Sequence, residues 1–187
     1  MKHPSVLIPQ TFCLVFSGMA FSQNINTPEN FPDPSFRAAV EEFMGVAPGG
    51  EFTAAQAAAK TGTFNCGDRK ITSARGLRFF TGVTGLVCYD KQSTSLDVSK
   101  NTALHSLDCS DNQLTNISSL AANPRLEAVV VTNNNLDCGD WDDVAVLKAR
   151  LGDPVPGYVF LLSGFAYSPQ NGLDPYDCTP VLQWYVH

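Results

Sequence analysis

The chain of 187 residues has few of the side chains that metal sites need. It contains three histidines, and only His105 lies away from the two ends. None of its six cysteines forms a Cys-x-x-Cys pair, the usual spacing of zinc ligands. Asp90, Asp108 and Asp111 have the oxygen chemistry that calcium prefers, but no loop motif surrounds them to wrap the ion. The sequence therefore predicts neither a metal site nor a cofactor.

Positive charge is also sparse. Lys and Arg number 12 against 18 Asp and Glu, which gives a formal net charge of −6, and no cluster of basic residues is present. Such a surface repels phosphate backbones and anionic lipids, so we expect no nucleic-acid partner and no binding to a membrane surface. No stretch approaches the 18 or more consecutive apolar residues of a membrane helix, so membrane insertion is not expected.

Catalytic motifs are missing as well. The chain has no Gly-x-Ser-x-Gly elbow and no phosphate-binding glycine loop. His105 and Cys109 are close in sequence and suggest a thiol protease, but the repeat described below places Cys109 inside the fold and His105 at a rim, so the two should not meet. Asp142 and Asp143 are explained by the first turn of a helix, where carboxylates are favoured. We predict that the protein is not an enzyme.

The N-terminal segment has the features of a secretory signal. Lys2 and His3 are followed by a largely apolar stretch from Val6 to Ala20, and small residues at Ala20 and Ser22 fit a cleavage site. We therefore predict a signal peptide over residues 1–22 and a secreted or cell-surface location.

A repeat dominates the middle of the chain. Segments around Leu86, Leu107 and Val129 share the pattern apolar-x-x-apolar-x-(Cys or Val)-x-x-(Asn or Lys), with spacings of 21 and 22 residues, and a degraded copy surrounds Cys66. This period and pattern are typical of leucine-rich repeats, whose units bury their apolar faces only by stacking. We predict an α/β fold, a short right-handed leucine-rich-repeat solenoid of about four coils. Its parallel strands, at residues 64–66, 86–88, 107–109 and 129–131, should line the concave face.

The repeat also predicts where the cysteines and asparagines lie in the fold and what they contact. Cys66, Cys88 and Cys109 recur at the solenoid period, so we expect them to form a buried thiol ladder. Cys138 and Cys178 lie outside the register and are the natural disulfide pair of an exported chain, worth about 4 kcal/mol in the chain-entropy model. Asn112 and Asn134 should point inward and bond the backbone of neighbouring coils, whereas Arg69 and Lys91 interrupt that ladder because neither offers an acceptor oxygen.

Helical segments flank the repeats. Asp33 with Pro34 predicts the start of one helix, which should end at Gly45, and Thr53 with Gln56 predicts a capping box for a second. A third helix should have Asp140 as its N-cap and end at Gly152, with loops following it. We therefore divide the chain into a signal peptide (1–22), a linker with N-terminal capping helices (23–62), leucine-rich repeats (63–137), and a C-terminal helix-plus-loop cap and tail (138–187).

Side chains that alternate with the buried repeat positions should face outward on the concave side. They combine an aromatic ring, several carboxylates and small hydroxyls, which suits contact with a basic or carbohydrate partner as well as a simple solvated face. His105 and Glu127 should lie at the rim. The candidate ligand-binding residues are Val87, Tyr89, Asp90, His105, Asp108, Ser110, Asp111, Glu127, Val130 and Thr132.

Over residues 30–178 the chain resembles bacterial leucine-rich-repeat proteins of the internalin-like kind. The resemblance is carried by the cap motif at residues 31–40, the repeat at 96–115 and the closing segment at 164–178. It implies a secreted, non-enzymatic recognition module that binds an extracellular protein or glycan through the concave strand face. The alternative is a structural stub or fragment of a longer repeat protein without a ligand of its own.

Overall fold

The computed structural model describes residues 23–89, 92–152, 155–156 and 161–166. In this part of the chain, short strands alternate with short helical segments. The helices are α1 (Pro34–Met44), α2 (Ala54–Ala58), α3 (Ser118–Ala121) and α4 (Trp141–Leu151), with 3-10 turns at Leu77–Phe79 and Cys138–Asp140. The strands are β1 (Thr63–Asn65), β2 (Gly85–Val87), β3 (Ser106–Asp108), β4 (Ala128–Val130), β5 (Val155–Pro156) and β6 (Leu161–Ala166).

The strands form one sheet in the order β1-β2-β3-β4-β6-β5. The first four pair in parallel and in register, so that Phe64, Leu86, Leu107 and Val129 stack on one another at the centre of the core. Each strand begins and ends one residue earlier than the sequence pattern predicts. The architecture is an α/β repeat solenoid, as the repeat period indicates.

The segment after α4 differs from the prediction. We expected loops from residue 153 onward, but β6 pairs in parallel with β4, and the short strand β5 pairs antiparallel with β6. The described residues therefore contain five parallel strands, one more than the coils counted from the repeat. The expectation of loops is wrong for Leu161–Ala166, because pairing with β4 satisfies backbone groups that would otherwise be left at an open sheet edge.

The N-terminal cap follows the predicted capping signals. The Asp33 carboxylate accepts hydrogen bonds from the backbone N–H groups of Ser35 and Phe36, and α1 ends at Gly45 in the left-handed region. The capping box of Thr53 and Gln56 is confirmed at the start of α2. An aromatic cluster joins this cap to the first coils and seals the apolar end of the stack. Its members are Phe31, Phe36, Phe43, Phe52, Phe64, Phe79 and Phe80.

Buried thiols and amides support the coils from within. Cys66, Cys88 and Cys109 directly follow the aligned residues of β1, β2 and β3, and each is at most 3% exposed. The Asn112 amide Nδ2 donates to the carbonyls of Cys88 and Cys109 at 2.9 and 3.1 Å. Asn134 repeats this arrangement one coil later, bonding the carbonyls of Cys109 and Val131 at 3.0 Å. Each amide thus joins two neighbouring coils.

A second asparagine ladder lies at the turns that precede the strands, and the sequence analysis missed it. The Asn101 Nδ2 donates to the carbonyls of Leu77 and Phe80, and the Asn123 Nδ2 donates to the carbonyl of Asn101 at 3.0 Å. The signal was available, because Asn101 and Asn123 are 22 residues apart, which is one solenoid period. Both ladders satisfy buried carbonyls that a coil cannot pair internally.

Two predicted positions have different surroundings from those expected. Arg69, which replaces an asparagine of the first ladder, forms an ion pair with Glu42 of α1 instead. Asp140 precedes α4 but makes no side-chain cap; its carboxylate accepts from the Asp137 backbone N–H at 3.2 Å. Burial raises the pKa of Asp140, with the carboxylates of Asp137 and Asp143 adding to the shift. The first turn of α4 therefore relies on Asp142 and Asp143 for charge compensation.

Some predictions lie outside the described residues. Lys91, Asp90 and Cys178 are among them, and the side chain of Cys138 is not described, so the disulfide between Cys138 and Cys178 stays a prediction. The domain boundaries stay predictions as well. Of the helices in residues 23–89 and 92–152, none combines the length and apolar composition that a membrane crossing requires.

Candidate functional site

The outward side of the parallel sheet carries two rows of side chains, and we call it the strand face. One row precedes the buried position of each strand and the other follows it, because side chains alternate along a strand. The first row is Thr63, Gly85, Ser106 and Ala128, and the second is Asn65, Val87, Asp108 and Val130. This is the side that the sequence predicts to be concave.

The strand face is shallow and largely apolar at its centre. The depression between the two rows has a volume of about 30 Å³, and its lining includes Thr63, Ser106, Asp108, Ala128 and Val130. Sites for small molecules usually enclose several hundred Å³. A surface of this shape suits contact with a broad, complementary surface better than capture of a small ligand.

Of the predicted contact residues, three belong to the second row. Val130 and Asp108 are half-buried, whereas Val87 is only 3% exposed. The carboxylate Oδ1 of Asp108 accepts from the Ser110 hydroxyl at 2.7 Å and from the Ser110 backbone N–H at 3.1 Å. Ser110 is buried and supports the Asp108 carboxylate.

Tyr89 contacts the preceding coil. Its ring lies against Gly67, where a Cβ atom would approach the ring to 2.9 Å, and its hydroxyl donates to the Asp68 Oδ2 at 2.9 Å. The glycine is needed there because any larger residue would displace the ring. Tyr89 thus fixes the edge of the strand face next to Asp68.

Polar residues beyond the carboxyl ends of the strands form an acidic edge. Asp68, Asp111 and Asn133 occupy equivalent positions in their coils and share a left-handed backbone, which Asp and Asn tolerate better than most residues. The Asn133 Nδ2 donates to the Asp111 Oδ1 at 2.7 Å. Thr132 is half-buried beside Asn133, while Asp90 lies outside the described residues.

His105 and Glu127 lie at the opposite edge, just before β3 and β4. His105 is half-buried and Glu127 is exposed. The backbone carbonyl of His105 accepts from the N–H groups of Glu127 and Ala128, which holds the two positions side by side. Those predicted residues that the structure describes are thus divided between the centre of the strand face and the two edges of the sheet.

The first outward row was not among the residues predicted from the sequence. Thr63, Ser106 and Ala128 precede the buried position of each strand, and the alternation that identified Val87, Asp108 and Val130 also predicts them. They were overlooked because the strands were placed one residue too late, which left this row outside the predicted strands. Within the described residues, no group of three or more His, Cys, Asp or Glu side chains is placed to hold a metal ion.

Comparison with solved structures supports an internalin-like leucine-rich-repeat fold. The chain is similar to the functional domain of InlJ from Listeria monocytogenes, described as including a cysteine ladder, with 30% identity and a TM-score of 0.55 over 58% of this chain. It is also similar to the internalin InlF from Listeria monocytogenes, with 19% identity and a TM-score of 0.61 over 70% of this chain. No protein-family model matches the chain, and no curated protein matches it in sequence.

The chain is short beside these structures. It covers 24% of the InlJ chain and 38% of the InlF chain. The likeness to InlF shows the fold alone. Cys66, Cys88 and Cys109 are stacked and buried in this chain, and the InlJ structure is described as including a cysteine ladder. The repeat architecture is therefore similar to part of a longer protein.

Proposed function

We propose that this chain is a non-enzymatic, extracytoplasmic recognition module that binds another protein, or a glycan, through the strand face. The observation that carries the proposal is the strand face itself, a shallow surface that parallel strands hold in register. Side chains fixed in this way lose little conformational entropy on binding, which favours affinity. The signal-like segment at residues 1–22 supports a location outside the cytoplasm.

Charge restricts the kind of partner. Asp108 lies within the strand face, Asp68 and Asp111 lie at one edge, and Glu127 lies at the other. A partner with basic side chains would be attracted by these carboxylates and oriented on approach. We therefore propose a partner whose contact surface is positively charged around an apolar or neutral centre.

The test is a binding screen with the chain immobilised and purified extracellular protein domains and a glycan array as probes. Ser106→Arg places a long charged side chain at the centre of the strand face and should abolish capture of a specific partner. Thr102→Arg is the matched control, because Thr102 is exposed on the segment between β2 and β3 and lies outside the strand face. Retained binding in both variants would refute the strand face as the site.

The chain could instead be part of a longer repeat protein and have no ligand of its own. Its limited coverage of the similar structures favours this second candidate. A standard interface buries about 800 Å² on each partner, so a short solenoid must use most of its strand face to form one. A screen in which wild type captures nothing would support the second candidate over the first.

A further inference from the structure

Two clefts lie on the outer side of the solenoid. One has a volume of about 240 Å³ and lies between the outer segments of the first two coils. A second, of about 560 Å³, adjoins it across Ser95 and Asp97, which line both. Together they form a continuous surface over three coils, which we call the outer groove. Both clefts exceed the 30 Å³ depression of the strand face.

Two arginines, Arg75 and Arg78, line one end of the outer groove. Neither takes part in the ion pairs found within residues 23–89 and 92–152, which include Arg37 with Glu41 and Arg69 with Glu42. In a chain with a net charge of −6, two neighbouring guanidinium groups outside those ion pairs make a local site of positive charge.

The backbone around these arginines is held firmly. The Asp33 carboxylate accepts from the backbone N–H groups of Thr72 and Ser73, at 2.8 and 3.3 Å, which ties the start of the segment to α1. Gly76 lies against Phe31 so closely that a Cβ atom would be 2.5 Å from the ring. The turn that carries both arginines is therefore anchored to the aromatic cluster.

Arg78 is also oriented through its side chain. Its guanidinium lies over the Phe79 ring, 4.5 Å from the centroid, and donates to the Asn30 Oδ1 at 3.4 Å. A guanidinium held in one plane offers its remaining N–H groups as a fork that matches a carboxylate or a sulfate. Less ordering entropy is then lost when such a group binds.

The rest of the outer groove has hydroxyl and amide side chains. Asp97 lies between the two clefts, and its Oδ1 accepts from the Ser99 backbone N–H at 2.9 Å. Hydrogen bonds from the Ser99 side chain and backbone lower the pKa of Asp97, against a smaller opposing effect of burial, so it remains an acceptor at neutral pH. The other polar lining residues are Thr72, Ser73, Ser95, Asn116, Ser118 and Ser119.

We infer that the outer groove binds an oligosaccharide that carries an oxyanion group, with Arg75 and Arg78 on the carboxylate or sulfate and the hydroxyl and amide side chains on the sugar hydroxyls. The extent over three coils fits several sugar units rather than one small ion. The lining has no aromatic ring on which a nucleobase could stack, and Asp97 disfavours a densely charged phosphate backbone. This site is separate from the strand face and does not depend on it.

The experiment measures dissociation constants by calorimetry for three polymers: a sulfated polysaccharide, polygalacturonate and neutral dextran. Wild type should bind one or both of the acidic polymers and not dextran. Binding of the sulfated polymer alone would identify a sulfate ester as the recognised group, and binding of polygalacturonate alone would identify a carboxylate. Free inorganic sulfate should compete only weakly, because it lacks the sugar contacts.

Variants then locate the site. Replacing Arg75 and Arg78 together with Ala should weaken binding at least tenfold, because two charge-assisted contacts are lost. Ser95→Phe should weaken it similarly by obstructing the wall shared by both clefts, without a change of charge. Arg125→Ala is the matched control, since it removes one exposed positive charge elsewhere, and should change binding less than twofold.

Three outcomes would overturn the inference. They are no binding of either acidic polymer by wild type, equal binding of dextran, and unchanged binding by both the double-arginine variant and Ser95→Phe. Thermal unfolding of each variant establishes that it is folded. Ser106→Arg should bind the acidic polymer as wild type does, so a failed strand-face proposal remains distinguishable from a failed outer groove.

Discussion

Asp33 joins two parts of the chain that are about 40 residues apart in sequence. Its Oδ1 caps α1, while its Oδ2 accepts from the Thr72 backbone N–H, the Thr72 hydroxyl and the Ser73 backbone N–H. Burial raises the pKa of Asp33, but hydrogen bonds from Phe36, Thr72 and Ser73 together outweigh it, so the pKa lies below its usual value of 3.8. The charged form is therefore the one that the fold stabilises.

Replacement of Asp33 by Asn should destabilise the protein by about 1–2 kcal/mol at pH 7, because charge-assisted hydrogen bonds become neutral ones. A carboxylate whose pKa is lowered by folding adds stability above its unfolded pKa of about 3.9, and this contribution is lost as the pH falls through the folded value. The difference between wild type and Asp33→Asn in denaturant unfolding should thus shrink below about pH 4.

Glu29→Gln is the control for Asp33→Asn, because it removes one negative charge from an exposed position near the same cap. Its unfolding free energy at pH 7 should be within about 0.5 kcal/mol of wild type. A difference between wild type and Asp33→Asn that stays constant from pH 7 to pH 3 would contradict the assigned role of the carboxylate.

Among the elements, the turn before Leu77–Phe79 depends on Gly76 for two reasons. Its φ of +107° is disfavoured for residues with a Cβ atom, and that atom would be 2.5 Å from the Phe31 ring and 2.7 Å from the Asn30 carbonyl oxygen. Gly45, which ends α1 with a φ of +75°, has no neighbouring atom within 4 Å of such a position. Substitution at the two glycines therefore distinguishes the cost of a left-handed backbone alone, at Gly45, from that cost plus a steric clash, at Gly76.

Gly45→Ala should cost about 1 kcal/mol, the penalty of a left-handed residue alone. Gly76→Ala should cost about 3 kcal/mol or more, because the aromatic cluster must also shift. Denaturant unfolding of both variants against wild type measures the two costs. Equal costs would show that Gly76 does not pack against Phe31 as described.

The elements that sequence predicts well are those whose signal recurs once per coil. Phe64, Leu86, Leu107 and Val129 fill one core position at the solenoid period, so four strands were identified, each shifted by one residue. β6 was not predictable in this way, since its segment lacks the repeat's Cys and Asn positions and its pairing with β4 is set by tertiary contact. Val87, Asp108 and Val130 of the second row of the strand face were predicted from the sequence. The first row was not predicted, because of the same one-residue shift.

Among the described residues, the strand face and the outer groove differ in charge. Carboxylates lie in and around the strand face, at Asp108, Asp111 and Glu127, whereas the outer groove has Arg75 and Arg78 together with the carboxylate of Asp97. A thin solenoid separates the two, so one chain can present both a surface for basic partners and a groove for acidic sugars. The fields of exposed charges are screened over about 8 Å at physiological ionic strength, which keeps the two sites electrically separate.

The stability of the solenoid depends on strand pairing at the C-terminal edge of its sheet, next to β4. β4 pairs with β6, and α4 lies against β6 in the described structure. A chain that ends after Gly152 would leave the backbone groups of Ala128–Val130 unpaired on one side, and an open parallel edge is a template for association with other chains. We therefore expect truncation at this point to lower Tm by about 10 °C and to cause concentration-dependent association.

Light scattering coupled to gel filtration, together with thermal unfolding, would measure both effects. The control ends at Gln170, which keeps β5 and β6, and both truncated chains are studied under reducing conditions so that loss of Cys178 affects them equally. If the chain ending at Gly152 is monomeric and melts with the control, β6 does not close the sheet. If only the shorter chain associates, the β5–β6 pair protects the edge of the sheet, because the two chains differ in whether β4 is paired with β6.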